Sequence, residues 1–267
     1  MFIDTFAETW LDELHVRGEE LAPSSRLFLL VDGVFVPGLH KLLGKDRKAI
    51  LFESLPGCSE EAIDVAPFLV PFESGDRKLA ALLRRCNRWP MVSLIETTET
   101  LKKLTDRLAA WCVVEADGQR FNFRFPDTRR LPAIFQALNP AQRALMAGPA
   151  VRWSYVSRTG NWTDLALAGS DADIADHPVV DEHQFAMLVD ESRGDELLVV
   201  LRDRGHDPYR YPSKSHALVT IALRAATAAG LDSDDTVEWC KWFWQNYQLL
   251  DVSAAESKLA AWRNTIS

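Results

Sequence analysis

Cysteine is scarce in this chain: Cys58, Cys86, Cys112 and Cys240 are the only four in 267 residues. They stand too far apart for the paired ligands of a zinc site and are too few for a disulfide scaffold, so a reducing compartment is expected. No apolar run approaches the roughly 20 residues that span a bilayer. The first stretch, MFIDTFAETWLDELHVRGEE, places Asp4, Glu8, Asp12 and Glu13 ahead of Arg17, and so lacks the basic lead and apolar core of a secretory signal. A cytoplasmic protein without a membrane partner is the expectation. Phosphate-cradling loops of the G-x-x-x-x-G-K-[ST] and G-x-G-x-x-G types are missing, as is a G-x-S-x-G elbow. The six histidines are dispersed, and the closest pair, His177 and His183, has no zinc-helix spacing. The sequence therefore nominates no cofactor, no metal ligand set and no catalytic constellation.

What is present is an ordinary globular composition, 47% hydrophobic and 25% charged, with a net charge of -8. That charge argues against a nucleic-acid partner, because phosphate-backbone binding draws its energy from lysines and arginines that release counterions. The imbalance is local. Between Asp171 and Asp207 there are 11 acids and 3 bases, whereas the other 230 residues carry 27 of each sign. This segment is either a solvated linker and helix face or a docking surface for a basic partner, with Asp190, Glu191, Asp195 and Glu196 as its candidate contacts.

The pattern along the chain predicts two lobes: an α/β (α+β) lobe with a mixed sheet over residues 1–168, and a mostly helical lobe over 169–267. In the first, RLFLLVDG reads as a buried strand ending at Asp32-Gly33, AILFE as a second, and PFLVPF as a third that its prolines push toward an edge. DRKLAALLRRCNRW and TTETLKKLTDRLAAW repeat apolar residues at helical spacing around the strand MVSLIE, and Thr98 is a candidate cap for the second helix. Asp117-Gly118 between two alternating runs signals a hairpin. Asn139-Pro140 and Gly148-Pro149 bracket a short helix, and AVRWSYVS with WTDLALAG forms a last hairpin. After Gly169, helices start at Asp181 with a capping-box pattern to Gln184, burying Phe185, Leu188 and Val189, and continue through DELLVVLRDRG, SKSHALVTIALRAATAAG and SDDTVEWCKWFWQNYQLL, the last closing near Asp251.

Two stretches concentrate residues that could bind something. RFNFRFPDTRR alternates Phe121, Phe123 and Phe125 with Asn122 and Arg124 before breaking at Pro126. As a stacking platform for bases, the three rings would forgo roughly 1.5–3 kcal/mol each of burial, which favours a core strand. The proline break lets Asp127 fold back toward Arg124 or Arg129, making Arg124, Asp127 and Arg129 a structural corner or a partner contact. In EWCKWFWQNY, Trp239, Trp242 and Trp244 make a helix apolar over more than half its girth, either as a central helix or as an interface.

The ordered segments LFLLVDG, ILFESLPG, VAPFLVPF, FRFPDTR and LPAIFQALNPAQRALMAGPAVRW resemble those of the bacterial type VI secretion effector adaptors, a family catalogued as domain of unknown function 4123. The resemblance covers roughly Arg26 to Trp153. Where the family reads Phe-Arg-Phe-Tyr-Asp-Pro-Arg, this chain keeps Phe123, Arg124, Phe125, Asp127 and Arg129 but has Pro126 and Thr128 instead of tyrosine and proline, and the family's His-Leu-Arg is absent from LKKLTDRLAAW. The resemblance implies a non-catalytic cytoplasmic chaperone that holds a cognate effector toxin and loads it onto the VgrG spike protein. The alternative is a hydrolase using a cleft carboxylate, Asp32 or Asp127.

Overall fold

The computed structural model describes residues 1–55, 57–247 and 252–266. The chain divides into two compact units, Met1–Leu188 and Val189–Ser267. In chain order the first contains α1 (Trp10–Glu19), β1 (Arg26–Val31), β2 (Ala49–Ile50), α2 (Glu60–Val65), β3 (Phe68–Pro71), α3 (Arg77–Arg85), β4 (Val92–Thr97), α4 (Leu101–Ala110), β5 (Val113–Ala116), β6 (Gln119–Asn122), α5 (Leu131–Ala137), α6 (Pro140–Ala147), β7 (Arg152–Val156) and β8 (Trp162–Asp164). The helices α7 (Glu182–Asp203), α8 (Pro212–Ala228), α9 (Ser233–Asn246) and α10 (Val252–Ile266) follow. An α/β lobe followed by a mostly helical region is the architecture that the pattern predicts.

Six strands form one sheet in the order β2-β3-β1-β4-β7-β8, with every described pairing antiparallel. β1 shows why its sequence is almost continuously apolar. Its odd residues Leu27, Leu29 and Val31 enter a core with Trp10 and Leu14 of α1 and Leu79, Leu82 and Leu83 of α3. Its even residues Phe28 and Leu30 enter a second core with Leu104 and Leu108 of α4, Phe135 of α5 and Met146 of α6. Both faces of the strand are covered, so neither can be polar.

Several local expectations are corrected by the packing. β3 lies inside the sheet, between β2 and β1, and not at an edge. The Phe72 amide bonds to Leu27, so alternation turns Pro71 away from β1, toward the side where the two-residue β2 has already ended; its missing N–H breaks no ladder. AILFE is extended only over Ala49–Ile50 and then tightens into a 3-10 turn, Leu51–Ser54. The cap of α4 is Thr100, which accepts from the Lys103 amide, and not Thr98. Asp181 and Gln184 form a reciprocal capping pair, but the helix they open continues through Gly194 to Asp203, and Val189 is exposed on it.

The compositional change at Gly169 and the packing division within α7, between Leu188 and Val189, lie about 20 residues apart. Residues beyond Gly169 stay with the first unit because their backbone is bonded there: Ser170 to Gly148, Glu115 to Pro178, and Val180 to Glu115. In the second unit, Leu197, Leu198 and Leu201 of α7, Leu218, Val219 and Ala222 of α8, and Trp239, Cys240 and Phe243 of α9 share one core with Leu259 and Trp262 of α10. α9 is described to Asn246, and its expected end near Asp251 lies outside the described residues. No described helix is long and apolar enough to cross a membrane.

Candidate functional site

The RFNFRFPDTRR stretch divides between two structures. Its first part is β6, joined to β5 by the two-residue turn Asp117-Gly118, whose φ angles of 48° and 67° are those of a type I′ turn. This ribbon is separate from the six-stranded sheet. Extended pairing ends at Asn122, and Phe123 and Phe125 are buried by the turn that follows, beside Trp111 and Trp153 respectively. Burial of the phenylalanines is thus achieved, with Phe121 only half-buried against Phe185.

Two arginine–aspartate pairs make the corner. Asp127 accepts at Oδ1 from the Arg129 amide at 3.0 Å and from Nε at 3.1 Å, and at Oδ2 from Nη2 at 2.7 Å. Arg124 instead reaches Asp32, at the end of β1, through Nη2–Oδ2 at 2.7 Å. The sequence offers Asp127 to Arg124 or Arg129, and the structure gives it to Arg129; the Asp32–Arg124 pair joins residues 92 positions apart, which no local spacing encodes. Asp32 also accepts from the Val34 amide at 3.2 Å. Burial pushes the Asp32 carboxyl above its ordinary 3.8, against the lowering pull of Arg124 and with a further upward push from the Asp127 charge. Thr128 fastens the turn to the sheet by donating to the Val156 carbonyl at 2.7 Å.

The two aspartates proposed for hydrolysis therefore occupy one neighbourhood, but each is engaged by a guanidinium. The cavity beside Asp32, lined by Phe52, Cys112, Phe123 and Arg124, has a volume of about 50 Å³. That is room for water rather than for a substrate. A larger hollow of about 580 Å³ opens near α2, lined by Lys41, Lys45 and Lys48 and by Glu53, Glu60 and Asp64. Its cations and carboxylates balance, so it selects neither sign of charge. Burial holds the His40 imidazole on its wall below the ordinary 6.5, with Nε2 3.3 Å from Asp64 Oδ1.

One element was missed entirely from sequence. Arg107, in the apolar stripe of α4, is fully buried, and its five N–H groups are all spent. Nε and Nη2 hold Glu99, Nη2 at 2.8 Å from Oε1; Nη1 donates to the carbonyls of Leu145 at 2.7 Å and Asp173 at 3.0 Å; Nη2 also donates to Ala172 at 3.0 Å. Gly148, at φ 55°, packs so closely that any Cβ would lie 2.5 Å from Arg107 Cζ. Arg107 thus pins the start of the acidic segment to α4 and α6.

The other nominated contacts separate by burial. Trp239 is wholly inside the helical core, its indole donating to the Ala222 carbonyl at 2.9 Å, and has no surface for a partner. Trp242 and Trp244 are half-buried, Trp244 donating to Ser215 Oγ at 3.0 Å. Asp195 is buried, whereas Asp190, Glu191 and Glu196 are exposed, with Asp190 3.3 Å from Arg193.

A family profile described as a domain of unknown function (DUF4123) matches residues 27–145. The matched span runs from β1 into α6 and takes in Asp32, Arg107, Arg124, Asp127 and Arg129. No curated protein and no solved structure matches the chain.

Proposed function

We propose that the chain is a non-catalytic type VI secretion adaptor, a cytoplasmic chaperone that holds a cognate effector toxin and loads it onto the VgrG spike. The observation that carries this reading is the DUF4123 domain over residues 27–145, whose span includes four of the five resembling segments and most of the fifth. The geometry at Asp32 and Asp127 is compatible with it: both carboxylates serve a lock, and the cavity beside Asp32 is too small for a substrate. Binding without turnover asks only for surfaces.

The test is co-purification of the full chain with the spike and toxin proteins encoded beside its gene. Capture of both is expected, and capture of neither overturns the reading. The exposed carboxylates of α7 are a candidate contact for a basic region of the cargo. Replacing Asp190, Glu191 and Glu196 by Asn and Gln should weaken cargo binding at low salt and leave stability within about 0.5 kcal/mol. Unchanged affinity at low salt would remove α7 from the cargo surface.

A further inference from the structure

We infer that the outer face of the Arg124–Arg129 corner docks an acidic segment of a partner protein. The inference rests on the adaptor reading and narrows it to one surface and one chemistry. Its basis is a layered arrangement of charge. Asp32 and Asp127 are buried beneath the corner, whereas the Arg124 side chain remains 39% exposed. The carboxylates face the interior and a guanidinium faces solvent, so the outward field is positive although the formal charges cancel.

Arg124 commits only Nη2 to Asp32, and the rest of its donor fork is turned to no described protein group. The fork lies over aromatic neighbours. The Arg124 guanidinium lies 5.9 Å from the Phe35 ring centre, and that of Arg129 lies 5.7 Å from Phe35 and 4.9 Å from Phe2. Trp89 stacks on Phe35 at 5.9 Å and meets Phe2 edge-on at 5.6 Å. Phe2, Phe35 and Trp89 are each only partly buried. Beside Trp89, Arg88 is held at φ 67°, a conformation that costs a non-glycine residue on the order of 1 kcal/mol or more, and its carbonyl accepts from the Phe2 amide at 3.0 Å.

Arginine, tryptophan and phenylalanine on a pre-positioned, half-exposed floor are the side chains that anchor protein interfaces. A planar guanidinium with open donors suits a carboxylate, which it can bind in a two-point contact, while an apolar residue next to that carboxylate covers the rings. A phosphate would satisfy the same fork, but a net charge of -8 opposes a long polyanion, and oligonucleotide binding is accordingly an adverse outcome of the test.

The experiment uses the full chain with the neighbouring spike and toxin proteins as probes. Arg124→Lys keeps a cation on Asp32 but loses the fork, and Trp89→Ala trims the floor without touching either ion pair. Each should weaken binding to one of the two proteins by about tenfold; the Arg124→Lys loss should shrink at high salt and leave the melting temperature nearly unchanged, whereas the Trp89→Ala loss is apolar and should persist at high salt. Hydrogen exchange on the wild-type chain, which needs no variant, should show protection at residues 33–36, 88–89 and 124–130 when that protein binds. If wild type captures neither probe, the adaptor reading falls and this surface with it. If wild type captures them but both variants bind equally well, or protection appears elsewhere, only the surface assignment is overturned. Tight binding of a single-stranded oligonucleotide that Arg124→Lys abolishes would also overturn it, in favour of a polyanion.

Discussion

Arg107 and Arg124 are both arginines paired to a buried carboxylate within the same domain, and they do opposite things with their remaining donors. Arg107 is sealed inside the first unit and gives every N–H to Glu99 or to the carbonyls of Leu145, Ala172 and Asp173. Arg124 gives one nitrogen to Asp32 and presents the rest outward over Phe35. The difference lies in what surrounds the guanidinium. A buried cation must satisfy all of its donors or forfeit several kcal/mol, whereas one at the surface can leave donors to water and hence to a partner. The first pair is a staple, and the second combines a staple with a contact surface.

That contrast can be broken by mutation, and the largest effect is expected at the staple. Arg107→Ala strands the buried Glu99 carboxylate, with the Lys103 ammonium 3.5 Å away as its remaining cation among the described residues, and should cost about 3–5 kcal/mol in urea unfolding. A loss below about 1 kcal/mol would mean that the pair is not the pin described above. Gly148→Ala attacks the same staple from the backbone side, forcing a Cβ against the guanidinium at a left-handed φ, and should cost roughly 1–3 kcal/mol by the same measurement.

The smallest effect, and the one that sharpens the comparison, is at Asp32. Because burial places its folded pKa above 3.8, the protonated acid is the form that the fold prefers. The stability this contributes is fully present below pH 3.8 and is lost as pH rises through the higher folded value. Asp32→Asn cannot titrate, so wild-type stability relative to the variant should fall over that interval in a series of unfolding curves at stepped pH. A rise instead would show that the attraction of Arg124 outweighs burial and that the corner is as tight a staple as Arg107.

How much of this was legible from sequence follows from the range of each interaction. The stripes of α3 and α4, the Asp117-Gly118 hairpin, the Asn139 cap and the Asp181–Gln184 pair were readable because each depends on residues within one or two turns of chain. The interior place of β3 was not readable, since it depends on which side of a proline its neighbours occupy. Trp239, Trp242 and Trp244 look alike in sequence, and the packing of α8 and α10 against α9 separates the buried Trp239 from the half-buried pair. The signal for Arg107 was a cation inside an apolar helical stripe, which spacing alone reads as an ordinary exposed residue.

Alone, the sequence determined most of the helical and extended segments, the buried character of β1 and the location of the acidic excess, all consequences of local periodicity, caps and composition. Tertiary structure alone decided that Asp32 joins Arg124, that Asp127 is taken by Arg129, and that Arg107 reaches across to residues 172 and 173. Those pairings arise where the packing of helices on both sheet faces removes water from particular carboxylates and carbonyls. A guanidinium is then held wherever desolvation leaves an acceptor that must be satisfied, at separations that no pattern along the chain records.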